Sequence, residues 1–312
     1  MSRLSNVIRA QQFDRDLIER VLEVTREMEK RLITKDVTLI QELSGKILAL
    51  LFYEPSTRTY FSFWSAMKRL GGDVIGTEHA GVFSSVVKGE SLRDTIKIIS
   101  GFADAIVLRH PEIGSAEEAA KVSFNVPIIN AGDGAGQHPT QALLDLYTIW
   151  KHFDRLDGLT VGMVGDLANG RTVRSLAYML SKFKNIKLIF VAHPAIKMRD
   201  DIKQHLTEKQ IPFSETDNLG EIATLVDVLY LTRVQKERFV DLAEYESVKG
   251  SYLVNLEIAG LMKPDAIIMH PLPRVDELPE EVDMNPRAIY LEQARVNGLV
   301  TRMALLQMIL KG

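Results

Sequence analysis

Three hydroxyls and one guanidinium fall within four consecutive positions of Tyr53-Glu54-Pro55-Ser56-Thr57-Arg58-Thr59, directly ahead of an amphipathic stretch. At a helix start the backbone N–H groups are unpaired and the helix dipole favours an anion; an arginine adds a fork of donors. A Ser/Thr N-cap explains one hydroxyl but not three around one arginine, so phosphate binding is the favoured chemistry. Further along, Leu108-Arg109-His110-Pro111 puts an arginine at the end of an apolar run. Asn130-Ala131-Gly132-Asp133-Gly134-Ala135-Gly136 leads into Gln137-His138-Pro139-Thr140-Gln141. Its glycines permit close backbone approach to a ligand, and they set His138 and Gln141 at the next helix start.

Three more segments have the same character. Gly165-Asp166-Leu167-Ala168-Asn169-Gly170-Arg171-Thr172 looks like a phosphate-binding P-loop with arginine in place of lysine. A planar fork is not a compact point charge, and no later strand ends in a metal-binding aspartate, which counts against nucleotide hydrolysis. Thr232-Arg233-Val234-Gln235 follows another apolar run. In His270-Pro271-Leu272-Pro273-Arg274 the prolines fix the backbone and leave the Pro271 and Leu272 carbonyls to accept from a ligand amine. Ser84, Ser85 and Lys88 form a polar loop to which spacing alone assigns no role.

The elements that must position these groups are short apolar runs alternating with amphipathic stretches. Strands are expected at 47–52, 105–108, 126–129, 160–164, 187–192, 226–231, 252–254 and 267–269. The runs are continuous, as in strands covered on both faces. Between them, 59–70 and 174–183 carry helical spacing. The expected fold is α/β: two doubly wound, Rossmann-like parallel-sheet domains with the active site in the cleft between them. The polar stretch 151–158 marks the border, giving domains 1–150 and 151–292. The closing helix, 293–310, is expected to turn one apolar side back onto the first domain, to which residues 293–312 are assigned.

The 312 residues suffice for two domains, and 46% apolar with 25% charged residues excludes a disordered chain. With 38 basic against 41 acidic residues, bulk attraction to nucleic acid is not expected. The absence of cysteine rules out disulfides, thiolate nucleophiles and cysteine metal sites, and the seven histidines have no metal-ligand spacing. Neither a signal peptide nor a run long enough to cross a membrane is found, so a cytoplasmic protein is expected.

Taken together, these motifs resemble the carbamoyltransferases over essentially the whole chain. Phe52 to Thr59 looks like the family's carbamoyl-phosphate signature, and 137–141 and 270–274 match two further motifs in order. Thr232-Arg233-Val234-Gln235 is similar to the segment of the aspartate branch. The ornithine branch carries a cysteine within His-Cys-Leu-Pro, where this chain has Pro271. The resemblance implies transfer of a carbamoyl group from carbamoyl phosphate to the α-amine of L-aspartate, early in pyrimidine synthesis, without cofactor or metal. Ser56, Thr57, Arg58 and Thr59 would hold the phosphate. Arg109, His138 and Thr59 would contact the carbonyl oxygen, and Gln141 the carbamoyl nitrogen. Arg171, Arg233 and Gln235 would bind the carboxylates of aspartate, and the Pro271 and Leu272 carbonyls would orient its amine. Ser84 and Lys88 would reach a neighbouring subunit's site, implying a homotrimer. Glu54 would bridge to Arg171 and Arg238 on domain closure, and Leu272–Pro273 would be cis. Regulatory chains or another pyrimidine-pathway enzyme stay open as partners; nucleic acid and membrane do not. One departure is Ala168-Asn169, where bacterial relatives carry a Lys-Tyr pair tied to closure.

Overall fold

In a computed structural model, residues 4–83, 89–236, 239 and 241–311 are described. The chain divides into two compact units. One runs through Tyr147 and takes up the chain again from Val296; the other is Thr148–Arg295.

The first unit contains α1 (Arg15–Ile33), β1 (Ile47–Phe52), α2 (Thr57–Arg69), β2 (Asp73–Thr77) and the short α3 (Ala80–Phe83). It continues with α4 (Leu92–Ile99), β3 (Ala105–His110), α5 (Ser115–Val122), β4 (Ile128–Asp133) and α6 (Pro139–Phe153), which carries the chain onward. Its four strands are all parallel, in the order β2-β1-β3-β4. The second unit holds β5 (Thr160–Val164), α7 (Arg171–Leu180), β6 (Lys187–Val191), α8 (Asp200–Glu208), β7 (Phe213–Thr216) and α9 (Leu219–Ala223). After them come β8 (Val228–Leu231), α10 (Leu242–Val248), α11 (Leu256–Leu261), β9 (Ile267–Met269) and α12 (Tyr290–Glu292). Its five strands are likewise parallel, in the order β7-β6-β5-β8-β9.

Parallel strands joined by helical crossovers are covered on both faces, which is why the central strands read as unbroken apolar runs. Residues 48–52 and 161–164 are buried at every position. Each sheet reverses its winding once, between β1 and β3 in the first unit and between β5 and β8 in the second. Open α/β sheets bind ligands at that reversal, beyond the carboxyl ends of the strands.

Three expectations need correcting. The run 252–254 is not a strand: Tyr252 and Val254 sit in the core of the second unit, and the Val254 N–H donates to the carbonyl of Glu277. Conversely, β2 and β7 were not expected. Each lies at one edge of its sheet and is largely open to solvent, unlike the buried opposite edges β4 and β9, and so lacks a continuous apolar run. The closing helix begins with a π-helical turn at 293–297, and its body, α13 (Gly298–Leu310), is buried nearly all round because it packs on both α1 and α2. Among the described residues no helix is long and apolar enough to cross a membrane.

Candidate functional site

In the first unit the reversal between β1 and β3 brings two of the flagged segments together, since Phe52 and Arg109 are register partners. Ser56 occupies the N-cap position of α2, and its hydroxyl donates to Thr59 Oγ1 at 3.1 Å. Thr57 donates to Glu78 at 3.1 Å, and Thr57 and Arg58 are exposed while Thr59 is buried. Arg109 is 8% exposed and braced at three points. Its Nε donates to the Glu54 carbonyl at 3.1 Å, one terminal nitrogen to the Ala131 carbonyl at 3.2 Å, and the other to the Glu54 carboxylate. Glu54 therefore pairs within its own unit; Arg238, one of its expected partners, lies outside the described residues, as do Ser84 and Lys88.

The loop after β4 is shaped by Asp133, whose role the sequence reading missed. One carboxylate oxygen accepts from the Gln137 N–H at 2.7 Å, and the other from Gly114 at 2.9 Å. The loop delivers His138 and Gln141, 3% and 8% exposed, to the first turn of α6. Nδ1 of His138 lies 3.4 Å from the Thr140 hydroxyl. When that hydroxyl donates, the ring proton sits on Nε2, the form able to donate to an oxygen. Gln141 Nε2 donates to Asp145 Oδ1 at 2.8 Å.

The second unit repeats the arrangement at β5 and β8, where Val164 and Leu231 are paired. Gly165, just after β5, has φ 109° and passes so close to the Thr232 carbonyl that a side chain would not fit. Beyond it Asp166 is fully buried and binds both ligand-side loops. Oδ1 accepts from the Asn169 N–H at 3.0 Å, and Oδ2 from the Gln235 N–H at 3.3 Å. Burial raises the Asp166 carboxyl above its usual range, against those hydrogen bonds and the charge of Arg199. The loops it ties carry Arg171, at the first position of α7, and Arg233, both partly buried.

Beside Arg233 lies a cavity of about 190 Å³, lined also by Lys236, Tyr245, Lys249 and Tyr252. Lys236 stands 5.6 Å over the Tyr245 ring. Neither was singled out beforehand: within a charged run, sequence does not distinguish a lysine lining a cavity from one on a solvated face. After β9, His270 is 1% exposed, accepts the Leu272 N–H on Nδ1 at 2.8 Å and lies 2.9 Å from Glu277 through Nε2. The Leu272–Pro273 peptide is cis.

Two parallel sheets with buried or half-buried arginines at their reversal points, Arg109 near the end of β3 and Arg171 and Arg233 beyond β5 and β8, define an α/β protein built to bind anions in both units. The comparisons narrow this. Residues 5–151 match the model described as aspartate/ornithine carbamoyltransferase, carbamoyl-P binding domain, and residues 157–309 match the companion Asp/Orn binding domain. The chain belongs to the aspartate/ornithine carbamoyltransferase family. It is 54% identical over 310 residues to the chloroplastic aspartate carbamoyltransferase of Arabidopsis thaliana, a match spanning 99% of this chain and 78% of that one. Among solved structures it is similar to the catalytic subunit of Methanocaldococcus jannaschii aspartate transcarbamoylase, with TM-score 0.90, 49% identity, and 99% and 98% of the two chains covered. The Trypanosoma cruzi aspartate transcarbamoylase in complex with carbamoyl phosphate and aspartate superposes with TM-score 0.92 at 39% identity, covering 99% and 97%.

Proposed function

We propose that this chain transfers the carbamoyl group of carbamoyl phosphate to the α-amine of L-aspartate, yielding N-carbamoyl-L-aspartate and phosphate. The carrying observation is that both reversal points hold anion-binding groups: Ser56 and Thr59 after β1 with Arg109 near the end of β3, and Arg171 and Arg233 after β5 and β8. On this reading residues 1–150 with 293–312 bind carbamoyl phosphate and 151–292 bind aspartate. Ser56, Thr57, Arg58 and Thr59 hold the phosphate; Arg171, Arg233 and Gln235 hold the two carboxylates.

Attack by the neutral amine puts negative charge on the carbonyl oxygen. Arg109, His138 and Thr59 are assigned to that oxygen. Donors already fixed there stabilise the charge without reorganising, each worth about 3–4 kcal/mol of barrier. The bracing of Arg109 supports this, since a guanidinium held at three points has little freedom left to lose. Gln141 takes the carbamoyl nitrogen, and the Pro271 and Leu272 carbonyls orient the amine. The leaving phosphate accepts the amine proton, so no covalent enzyme intermediate is required. Holding both reactants adds proximity, which reaches roughly 7–11 kcal/mol in well-oriented systems.

The reading extends to a cytoplasmic homotrimer in which Ser84 and Lys88 complete a neighbouring copy's site and Glu54 engages Arg171 and Arg238 on closure. Regulatory chains or another enzyme of the pathway stay open as further partners. The test is a carbamoyl-aspartate assay run beside solution mass, with L-ornithine as the alternative acceptor. Turnover with aspartate alone, abolished in a folded Arg58→Ala variant, is expected; ornithine turnover or an active Arg58→Ala protein would refute it. Mixed trimers of Arg58→Ala and Lys88→Ala chains regain partial activity if the site is shared.

A further inference from the structure

We propose that Asp145 makes this site selective for a carbamoyl over an acetyl group, by fixing which end of the Gln141 amide the protein offers. The inference rests on the assignment of Gln141 to the carbamoyl nitrogen. Gln141 and Asp145 lie one turn apart on α6, 8% and 0% exposed, with Nε2 donating to Oδ1 at 2.8 Å. A carboxylate only accepts, so the amide NH2 must face Asp145, and Oε1 is left to face the other way. An unconstrained glutamine could turn either end outward; this one is held as an acceptor. The NH2 of a carbamoyl group supplies donors to such an acceptor. The methyl of an acetyl group, of nearly the same size, supplies none and leaves the oxygen unsatisfied.

Behind α6, the α13 helix carries a buried cation whose charge is felt with that of Asp145. Arg302 is 4% exposed and is the one charged residue of α13. It donates to Ser62 Oγ at 2.8 Å and to the Gly298 carbonyl at 3.1 Å, and its guanidinium lies 5.2 Å from the Phe63 ring centre. Its buried Nε has no hydrogen-bond partner. Burial brings the guanidinium down to about 10, and the charge of Asp145 opposes that fall. A buried, incompletely bonded arginine is costly unless an opposite charge answers it. The residue orienting Gln141 carries such an opposite charge, and Asp145, hydrogen-bonded to the amide, is the positioning residue acting through it.

The experiment compares kcat/KM for carbamoyl phosphate and acetyl phosphate with aspartate as acceptor, using the full-length assembled protein. In both reactions the amine nitrogen bonds the acyl carbon, the carbon–oxygen bond to phosphate breaks, and phosphate leaves with the amine proton. Asp145→Leu is combined with Arg302→Met so that no lone charge stays buried. The carbamoyl-to-acetyl ratio is expected to fall about 10–100-fold in this double variant and in Gln141→Ala, mainly through the carbamoyl arm. Asp145→Asn, which can still accept a hydrogen bond, falls between; it carries the test should the double variant not fold. An unchanged ratio in Gln141→Ala overturns the assignment of Gln141 and the proposal with it. A collapsed ratio in Gln141→Ala, with wild-type ratios in both Asp145 variants, overturns the proposal alone. So does an equal loss with both acyl phosphates, the signature of general damage to α6.

Discussion

Nδ1 of His270 accepts the backbone N–H of Leu272 at 2.8 Å, and Leu272 itself sits at φ 55°. The left-handed region is uncommon for a branched side chain and costs on the order of 1–2 kcal/mol. A ring nitrogen that accepts must be unprotonated, so the proton of the neutral ring lies on Nε2, facing Glu277 at 2.9 Å. Burial pushes the Glu277 carboxyl up, yet hydrogen bonds from His270 and the Val275 N–H hold it below its usual range. The pair thus keeps the turn whose carbonyls are assigned to the substrate amine. His270→Leu removes the acceptor, and a roughly tenfold or greater loss of kcat/KM for aspartate is expected, with little change for carbamoyl phosphate. His270→Asn offers an oxygen two residues before the same N–H, as in an Asx-turn, and should recover part of the loss. Steady-state kinetics in both substrates decides it; equal activity in the Leu and Asn variants would show that the hydrogen bond does not matter.

Arg109 reaches two carbonyls and a carboxylate at once, which only a planar fork can do. Arg109→Lys keeps the charge but not the bracing. We expect kcat to fall about 100-fold or more with the circular dichroism spectrum unchanged. A lysine variant within a few-fold of wild type would mean that charge alone suffices.

Much of this was legible because buried parallel strands announce themselves. Central strands such as β1 and β5 are apolar at nearly every position, so the polar residues that follow them stand out in the sequence. Exposed strands do not: β7, Phe-Ser-Glu-Thr, at the open edge of its sheet, reads as a loop because it has no buried position. Tyr252 to Val254 misled for the opposite reason, since burial in the core without a neighbouring strand leaves the same apolar trace. Asp166 and Arg302 were opaque because a charged letter does not say where its charge goes. One is an aspartate accepting two loop N–H groups; the other is an arginine of α13 buried against Ser62 and Phe63 of α2.

Glu42 gives a pH prediction. Burial pushes its carboxyl up, but hydrogen bonds from Lys311, Gln307 and Arg31 outweigh that and hold it at about 2, below the ordinary 4.5. The group binds its proton more weakly when folded. The stability it contributes is therefore complete above about 4.5 and is lost as pH falls toward 2. Glu42→Gln should lower Tm at pH 7, and the gap from wild type should shrink steadily as the pH is lowered from 5 to 3. A gap independent of pH would mean that the carboxylate is not the stabilising element.

Gly165 and Gly45 separate two reasons for needing glycine. Both have positive φ, 109° and 77°, so alanine pays a conformational penalty of about 1–3 kcal/mol at either. At Gly45 nothing lies within 4 Å of the added carbon, and the penalty ends there. At Gly165 that carbon would stand 2.0 Å from the Thr232 carbonyl oxygen, so backbone must move. The strand end that moves carries Arg233 one residue on, and Asp166 follows Gly165 directly. Gly45→Ala should therefore lower Tm modestly and leave the KM for aspartate at its wild-type value. Gly165→Ala should lower Tm further and raise that KM at least tenfold, since a displacement near 1 Å is enough to cost about 100-fold in a positioned site. Thermal melts beside aspartate saturation curves make the comparison, and equal KM values in the two variants would sever the backbone contact at Gly165 from the placement of Arg233.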